Sequence, residues 1–479
     1  MERMTTLDAE FFFVEHENVP MHIGSLAVFE GPAPAYDDVI KLLAAKLPLV
    51  PRYRQIVRSM PLQLFRPVWA DDEQFELGYH IRHAAVPSPG SDEQLRNLAA
   101  RVFAQRLDRA RPLWELWLLE GIEGGRWAIL SKVHHAMVDG MGGNDLMTAL
   151  FDLSADAEPP VPVKWEPEPE PDVVRLLADG VYDTVTWSLR QLGSAPGFLR
   201  PWLRAPGDLL DFSRGLTGSA RRLAAPSAQS LNGPIGPHRR WVWTTASLGE
   251  VKKIRHDRGG TVNDVLLAAV TRGFRDLLEA RGELVDGLVV RTLVPVSVRR
   301  EDDVGGKITN RVSAVLANLP VGEPDPLRRL TLLRDQMDNL KQTDQAVGAQ
   351  VITQMLGFAS PTLLALGSRS AFRLPQPLVQ TVTTNVPGPP IPLFVLGRQM
   401  VEVYPYVPIG NSMRIGVAIF SYLDRLSFGI TADYNSTPDL DVLTEGIKRG
   451  LAELRSKPAR KRRSAPASDR PKRRAAPAS

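Results

Sequence analysis

The sequence predicts a mixed α/β protein built from two lobes with open sheets. Strand-like apolar runs alternate with amphipathic helical patterns along most of the chain, an order that favours mixed sheets covered by helices. A proline- and glutamate-rich stretch over residues 155–172 interrupts this alternation and is typical of an extended linker, because proline lacks an amide donor and like charges repel. The 479 residues, 43% of them hydrophobic, suffice for about three units of roughly 150 residues. We therefore expect two lobes, a connector and a tail.

The N-terminal lobe is expected to span residues 1–154. The predicted strands are 23–29, 114–119 and 127–133, and the predicted helices are 36–46, 92–107 and 144–153. Residues 155–237 then form a Pro/Glu-rich crossover linker and a helical connector, which begins with a predicted helix over 173–192. Within this connector, segment 196–223 is apolar and basic between Pro/Gly breaks. It either packs as helices against the lobes or contacts a membrane surface.

The C-terminal lobe is expected to span residues 238–454, where strand and helix patterns alternate again. The predicted strands are 241–245, 288–298, 312–319, 379–385, 401–407, 413–420 and 426–433, and the predicted helices are 248–258, 262–281 and 440–454. No repeat of about 20–50 residues is visible, which excludes a solenoid. Residues 455–479 form a separate Ala/Pro/Ser-rich tail, which we expect to be disordered.

Charge is unevenly distributed along the chain. The formal net charge is +4, but the tail 455–479 alone holds ten Lys/Arg and one acid, so the rest of the chain is mildly acidic. Such a basic tail can bind an anionic lipid surface, at about 1 kcal/mol per Lys or Arg, or nucleic-acid phosphates. Because no aromatic interleaving and no nucleic-acid-binding motif accompany it, no nucleic-acid partner is expected.

Two further features restrict chemistry and location. The chain has no cysteine, which excludes a disulfide framework, a thiol nucleophile and a cysteine-based zinc site. The first 22 residues carry five acids instead of the ordered regions of a signal peptide, and no apolar run reaches the roughly 20 residues of a spanning helix. We therefore expect a cytoplasmic protein that does not cross a membrane.

The sharpest chemical feature is the motif His134-His135-Ala136-Met137-Val138-Asp139-Gly140, which directly follows a predicted strand. Adjacent side chains of a strand point to opposite faces, so one histidine can face a cleft while the other packs elsewhere. Asp139 follows across a turn that Gly140 permits, and its carboxylate could brace the loop. A neutral imidazole held in this way can take a proton from a hydroxyl near pH 7.

Three interpretations of this motif compete. In the first, two histidines and an aspartate bind zinc, but adjacent histidines do not converge on one ion and no third ligand stands out, so no metal site is expected. In the second, the histidine pair is purely structural and ends a strand. In the third, one histidine is a general base.

The motif resembles the HHxxxDG signature of coenzyme-A-dependent acyltransferases related to chloramphenicol acetyltransferase. Other segments narrow the resemblance to the bacterial wax ester synthase/diacylglycerol acyltransferase (WS/DGAT) family. These segments are PMHIG (20–24), PLW (112–114), NDVLLA (263–268), PVSVR (295–299), GGKITNR (305–311) and TNVPGP (384–389). Each motif alone is weak, but the ordered set is specific and covers residues 6–454.

The resemblance implies two chloramphenicol-acetyltransferase-like lobes and a tunnel between them, with the histidine motif near its middle. Acyl-coenzyme A would enter from one side as a substrate, so no cofactor is implied, and the acceptor hydroxyl from the other. His135 would be the base and His134 would have a supporting role. Asp139, next to Gly140, would brace the loop by pairing with an arginine, for which Arg299 is the candidate, rather than relay charge.

The oxyanion of the reaction needs fixed donors. Candidates are the Asn385 side chain and the amides of the turn Asn385-Val386-Pro387-Gly388, because Pro-Gly-Pro makes a rigid turn after a strand. A plain Pro-Gly turn is the alternative. Asn263 and Asp264 are further candidates, although either of them, or Thr261, could simply cap the following helix. The Pro112-Leu113-Trp114 segment is expected to pack between strand and helix.

The function implied by the resemblance is O-acyl transfer from acyl-coenzyme A to diacylglycerol, giving triacylglycerol, and also to long-chain alcohols, giving wax esters. One alternative is acyl transfer to another lipid or natural-product hydroxyl, from coenzyme A or a carrier protein. Another is a non-catalytic coat of membranes or lipid droplets. Segment 352–366 could line a tunnel for apolar chains or form core. Lipid substrates imply peripheral association with a membrane or lipid inclusion, through segment 196–223 or the tail.

Overall fold

The structure is a computed structural model that describes residues 1–59, 65–138, 149–158, 160–161, 165–182, 186, 226, 228–298, 311–342, 379–410 and 412–455. The strands are β1 (Glu2–Arg3), β2 (His22–Phe29), β3 (Gln55–Arg58), β4 (Val68–Asp71), β5 (Ile81–Ala85), β6 (Trp114–Ile122), β7 (Arg126–His134), β8 (Arg239–Ser247), β9 (Val290–Val298), β10 (Arg311–Leu319), β11 (Thr381–Val386), β12 (Phe394–Val395), β13 (Arg398–Tyr406), β14 (Ile415–Tyr422) and β15 (Arg425–Asp433). The helices are α1 (Thr6–Val14), α2 (Tyr36–Lys46), α3 (Leu77–His80), α4 (Asp92–Ala104), α5 (Leu248–Arg258), α6 (Val262–Ala280), α7 (Pro326–Gln342) and α8 (Leu440–Arg455).

Two six-stranded mixed sheets form the body of the protein. The first has the order β12-β13-β2-β7-β6-β5 and is antiparallel except at the parallel pair of β5 and β6. The second has the order β10-β9-β11-β14-β15-β8, in which β11 runs parallel to both β9 and β14. A small antiparallel sheet of β1, β4 and β3 lies beside them. This mixed α/β architecture with open sheets is the one that the sequence predicts.

Strand β13 lies in a different sheet from the one that the sequence predicts. The sequence places a strand over 401–407 in the C-terminal lobe, but residues 400–406 pair with residues 24–29 of β2 in the first sheet. Assigning this strand to the second lobe was therefore wrong, because a strand's own pattern does not identify its partner. The segment 238–454 contributes to both sheets, while the exact lobe boundaries stay a prediction.

The two sheets contact each other at β13 and β15. The ring of Tyr404 stacks on Trp243 of β8, with 4.3 Å between the ring centroids. Gly429 of β15 lies so close to β13 that a Cβ atom there would stand 1.8 Å from the Pro405 carbonyl oxygen. A glycine is thus required at this crossing, since a methyl group would collide with backbone.

Helices α6 and α8 cover the second sheet and pack closely through glycines. A Cβ atom on Gly446 would stand 2.7 Å from the Cα atom of Gly273. Ion pairs surround the crossing: Glu453 binds Arg272 at 2.7 Å and Arg329 of α7 at 2.8 Å. Arg329 is 1% exposed. The network therefore fixes α6, α7 and α8 against one another.

The proline- and glutamate-rich linker is attached to the first lobe where the structure describes it. Residues 165–172 have no regular secondary structure, as expected. The guanidinium carbon of Arg54 lies 4.4 Å from the Trp165 ring centroid, and the Glu170 amide donates to Glu73 at 2.8 Å. Residues 173–182 are helical, in agreement with the start of the predicted helix. Segments 196–223 and 352–366, residues 144–148 of the predicted helix 144–153, and the tail beyond residue 455 lie outside the described residues. In the rest of that predicted helix, residues 149 and 150 are helical but residues 151–153 are not, because Asp152 forms a β-bridge with Phe394 instead.

No helix in the described ranges is long and apolar enough to cross a membrane.

Candidate active site

The histidine motif lies where the sequence places it, at the end of a central strand. β7 ends at His134, and a short 3₁₀ turn follows over His135–Met137. The His134 amide donates to the Leu113 carbonyl at 2.9 Å, and the His135 amide donates to the Met21 carbonyl at 2.8 Å. The PLW and PMHIG segments thus hold the backbone of the turn. Asp139, Gly140 and Arg299 lie outside the described residues, so their predicted bracing role stays a prediction.

Leu113 and Trp114 of the PLW segment act as packing residues. Trp114 is 1% exposed, and its indole N–H donates to the Tyr53 carbonyl at 2.8 Å. The ring of His80 stacks on it at 4.6 Å. This agrees with the expectation that the segment packs between elements.

His134 is fully buried and neutral. Its Nδ1 atom accepts a hydrogen bond from the Ala136 amide at 3.1 Å, and its Nε2 atom lies 3.8 Å from the Glu15 carboxylate. Burial lowers the pKa of His134 to about 3, and the nearby positive charge of Arg109 and the ring of His135 add to the effect. The ring therefore has a structural setting, as the supporting role implies.

His135 is half-buried, and its ring lies flat on Phe11 of α1. The ring centroids are 4.0 Å apart and the planes differ by 24°. Burial lowers the pKa of His135, opposed in part by the residue's own backbone carbonyl. Its Nδ1 atom is buried, without a hydrogen-bond partner on another residue of the described ranges. The imidazole is therefore neutral near pH 7, which is the state that a base needs.

Glu15 and Arg109 complete the surroundings of the histidines and are not among the predicted site residues. Arg109 Nε donates to Glu15 Oε2 at 2.8 Å, and the Met21 amide donates to Glu15 Oε1 at 3.2 Å. The guanidinium of Arg109 also lies 4.2 Å from the Phe12 ring centroid. In the sequence, Glu15 carries no visible signal, because the two side chains that it faces, Arg109 and His134, are 94 and 119 residues away.

His22 of the PMHIG segment lies beside His134, on the neighbouring strand. The two residues are register partners in β2 and β7, and His22 is 0% exposed. Its ring stacks on Tyr406 of β13, with 5.6 Å between centroids. Burial lowers the pKa of His22 well below its usual value, with Lys132 and His134 as further causes. Strand β13, which carries Tyr406, thus packs against His22.

The two candidate oxyanion motifs lie together. Asn385 at the end of β11 donates from Nδ2 to Oδ1 of Asn263 at 3.5 Å, although the residues are 122 positions apart. Val386 is about half exposed. The structure therefore brings together the side chains of the ND and NVPGP motifs, as one site would require.

Gly388 and Asp264 have structural partners. The Gly388 amide donates to the Ser421 hydroxyl at 3.0 Å, and a Cβ atom there would lie 2.0 Å from the Ser421 carbonyl oxygen. Asp264 forms a capping box with Thr261: its Oδ2 atom accepts from the Thr261 amide at 2.7 Å. The capping interpretation thus accounts for the contacts of Asp264, and the Gly388 amide already has an acceptor. Their assignment as oxyanion groups stays a prediction. Pro387 has no amide hydrogen, so it could only shape the turn and could not donate to the oxyanion.

The histidine turn and the NVPGP turn border a common apolar cluster. Met137 of the histidine turn belongs to it, as do Tyr422 and the partly buried Phe420 of β14, next to the NVPGP turn. Among the described residues, no three His, Cys, Asp or Glu side chains group together in a way that could hold a metal ion. The arrangement is suited to acid–base chemistry in an apolar setting.

Solved structures place this fold in a class. The chain resembles a wax ester synthase/diacylglycerol acyltransferase from Marinobacter aquaeolei VT8 with a TM-score of 0.64 and 25% identity, covering 94% of this chain and 98% of that one. It also resembles the TRI3 trichothecene 15-O-acetyltransferase from Fusarium sporotrichioides with a TM-score of 0.60 and 14% identity, covering 95% of both chains. The protein thus has the two-lobed acyltransferase fold of the chloramphenicol acetyltransferase type, which confirms the predicted fold class.

The sequence comparison narrows the class to a family. The model of the wax ester synthase/diacylglycerol acyltransferase catalytic domain matches residues 4–266, and that of the WS/DGAT C-terminal domain matches residues 308–455. A protein of Mycobacterium tuberculosis (strain ATCC 25618 / H37Rv), named "Probable diacyglycerol O-acyltransferase tgs1", is 37% identical over 462 residues, 95% of this chain and 96% of the relative. The chain belongs to the WS/DGAT family, and the predicted resemblance is confirmed.

Proposed function

We propose that the protein is an acyl-coenzyme-A-dependent diacylglycerol O-acyltransferase in which His135 is the general base. The observation that carries the proposal is the setting of His135: a neutral, half-buried imidazole at the end of a central strand, stacked on Phe11. Family membership and the printed name of the mycobacterial relative support the reaction class. The Marinobacter relative, whose name includes wax ester synthesis, supports long-chain alcohols as second acceptors.

The role requires the tautomer of neutral His135 in which the buried Nδ1 atom carries the single ring hydrogen. Nε2 then has a free lone pair and can accept the proton of an acceptor hydroxyl. The Phe11 ring covers one face of the imidazole and keeps water from that side.

The reaction balances without a covalent enzyme intermediate. Nε2 of His135 takes the hydroxyl proton while the oxygen attacks the thioester carbonyl carbon, forming an O–C bond and a tetrahedral oxyanion. Collapse of this intermediate breaks the C–S bond, and the imidazolium returns its proton to the departing sulfur. The products are the ester and free coenzyme A, and the histidine is again neutral.

Asn385 is our candidate for stabilising the oxyanion. One Nδ2 hydrogen points to Asn263 at 3.5 Å, and an amide nitrogen carries two hydrogens, so a second donor remains for substrate. Fixed amide donors of this kind contribute about 10²–10³ in rate where they meet the developing charge. Asn263 would then orient the amide group of Asn385.

The lipid acceptors imply that the enzyme works at a membrane or inclusion surface. We infer peripheral contact through segment 196–223 or the basic tail, both of which lie outside the described residues. The charge of the tail supports this inference, since ten basic residues at about 1 kcal/mol each are sufficient for binding to anionic lipid.

The test is thiol release from palmitoyl-coenzyme A with diacylglycerol or hexadecanol as acceptor. We expect acceptor-dependent release that falls by about 10²-fold or more in His135→Ala. His256→Ala is the matched control, because His256 is exposed on α5. Full activity of His135→Ala would refute the base, and no thiol release by the parent with either acceptor would refute the acyltransferase assignment.

A further inference from the structure

Glu15 is a buried carboxylate that touches the histidine turn from outside the motif. Its side chain is 2% exposed and lies immediately after α1. It accepts hydrogen bonds from the Arg109 side chain and the Met21 amide, and its Oε2 atom faces His134 Nε2 at 3.8 Å. An acid this deeply buried needs partners for its charge, and Arg109 and the Met21 amide supply them. His134 Nε2 lies beyond hydrogen-bond distance and has no hydrogen-bond partner among the described residues, so the charge of Glu15 is the group that acts on it.

The contacts of His134 determine which of its nitrogens carries the hydrogen. Nδ1 accepts from the Ala136 amide at 3.1 Å, so Nδ1 must be unprotonated. The ring is neutral because burial lowers the pKa of His134 to about 3. The single ring hydrogen is therefore on Nε2, the atom that faces the Glu15 carboxylate. At 3.8 Å the negative charge of the carboxylate favours a hydrogen on that nitrogen through electrostatic attraction rather than through a hydrogen bond.

This tautomer matters for the base because Ala136 follows His135 directly. The Ala136 amide is part of the 3₁₀ turn that carries the base, and His134 Nδ1 caps that turn. If the hydrogen moved to Nδ1, two donors would face each other and the cap would be lost. The His135 ring would then lose the fixed backbone from which it reaches substrate, and misplacement by about 1 Å is costly in catalysis.

We propose that Glu15, held by Arg109, is a positioning residue of the acyltransferase: it keeps His134 in the Nε2–H tautomer, which fixes the turn that carries His135. The inference rests on the proposed role of His135 as the base. Glu15 touches no reacting atom and acts only through His134.

The first test compares Glu15→Gln with the parent in the palmitoyl-coenzyme A assay. Because the negative charge that faces His134 Nε2 is removed, we expect kcat to fall by about 10-fold, with KM for both substrates changed by less than about twofold. Glu115→Gln is the matched control. This acid lies on β6 of the same sheet, is 13% exposed, and contacts Lys132 and Trp117. Its kcat should stay within about twofold of the parent.

The second test reads the tautomer directly by ¹⁵N NMR of histidine-labelled protein at pH 7, with the His134 signals assigned by their loss in His134→Asn. In the parent, Nδ1 of His134 should show the shift of an unprotonated nitrogen and Nε2 that of an N–H group. In Glu15→Gln the two shifts should move towards each other. The parent measurement decides the matter even if the variant does not fold, because an Nδ1–H tautomer in the parent overturns the proposal.

The outcomes distinguish a failure of the proposed role of Glu15 from a failure of the proposed role of His135. Lower kcat together with a changed tautomer supports the positioning role. Lower kcat with an unchanged tautomer, or an unchanged kcat, overturns it. If His135→Ala keeps its activity, the proposed base itself falls. If His135→Ala is inactive while Glu15→Gln behaves as the parent, only the role of Glu15 falls.

Discussion

Acidification below about pH 6.5 should destabilise the protein through its buried histidines. His22, His80 and His134 are at most 1% exposed, and burial lowers the pKa of each. In the unfolded chain these side chains take up protons near pH 6.5, while in the folded protein they stay neutral. The unfolded state therefore binds more protons below pH 6.5, so stability is present above that pH and is lost as the pH falls.

The size of the effect can be worked out for His134. Its pKa is about 3 in the folded protein, against about 6.5 in the unfolded chain. Between these values, one such group lowers the free energy of unfolding by about 1.4 kcal/mol per pH unit. Over the whole range this amounts to about 5 kcal/mol, which is comparable to the total stability of many domains. Acid unfolding is thus expected well above pH 3.

The assay is urea unfolding followed by tryptophan fluorescence at pH 7.5, 6.5, 5.5 and 5.0. His134→Asn should be less stable than the parent at pH 7.5, because it leaves a cavity and weakens the turn. The difference between the two should shrink by about 2 kcal/mol from pH 6.5 to 5.0, since the variant no longer excludes that proton. His256→Asn, on an exposed face of α5, should differ from the parent by a constant amount.

Parallel stability curves for the parent and His134→Asn would refute this reasoning. They would mean that folded His134 takes up a proton near pH 6.5, which requires an ion pair with Glu15 instead of an N–H contact. The tautomer inference would fall with them. A crossing of the His256→Asn curve with that of the parent would instead point to an unfolded-state effect.

Two further predictions concern packing and ion pairs away from the histidines. Gly429→Ala places a methyl group 1.8 Å from the Pro405 carbonyl oxygen, and should lower the free energy of unfolding by about 1–3 kcal/mol and reduce activity, because the sheets must separate. Glu453→Gln removes the charge between Arg272 and the buried Arg329, and should cost about 2–3 kcal/mol, at the low end for a buried pair because Glu453 is itself 27% exposed. Both are measured by urea unfolding at pH 7.5.

Matched controls keep these two measurements specific. Gly236→Ala is the control for the sheet crossing, because the nearest atoms to a Cβ there stand at 3.6 Å, an ordinary contact. Glu445→Gln is the control for the network, because Glu445 pairs only with the exposed Lys448 among its described ion-pair partners, and should change stability by about 0.5 kcal/mol or less. If Gly429→Ala is as stable as Gly236→Ala, or Glu453→Gln as Glu445→Gln, the corresponding contact does not hold the fold.

Regular elements with local signals were predictable from the sequence. Helix α2 coincides with its predicted span, with Asp37 and Asp38 in its first turn, and α5 ends before Gly259 as predicted. Helix α7 was missed, although Leu327, Leu330 and Leu333 after Pro326 carry a helical spacing. Helix α1 had no such signal, because its three successive phenylalanines point in several directions.

In the candidate site, too, features with a local sequence pattern were predictable and contacts between distant segments were not. The position of His134 and His135 at a strand end follows from local pattern, and the sequence predicted it. The contact between Asn385 and Asn263 depends on two elements that are far apart in the sequence. The sequence therefore identified both residues as candidates but did not show that they are in contact. Glu15 was unpredictable because an acid after a run of phenylalanines is the same whether it faces solvent or a buried histidine.

The first sheet can be completed only late in synthesis, because its strand β13 lies far along the chain from β2 and β7. β2 and β7 are made early, but one edge of β2 pairs with a strand that ends roughly 270 residues after β7. At about 5–20 residues per second on the ribosome, that edge stays unpaired for about 15–55 s. An open strand edge is a template for pairing with other chains, so the nascent protein is exposed to aggregation throughout this interval. Truncated chains that stop before residue 394 would keep that edge open permanently.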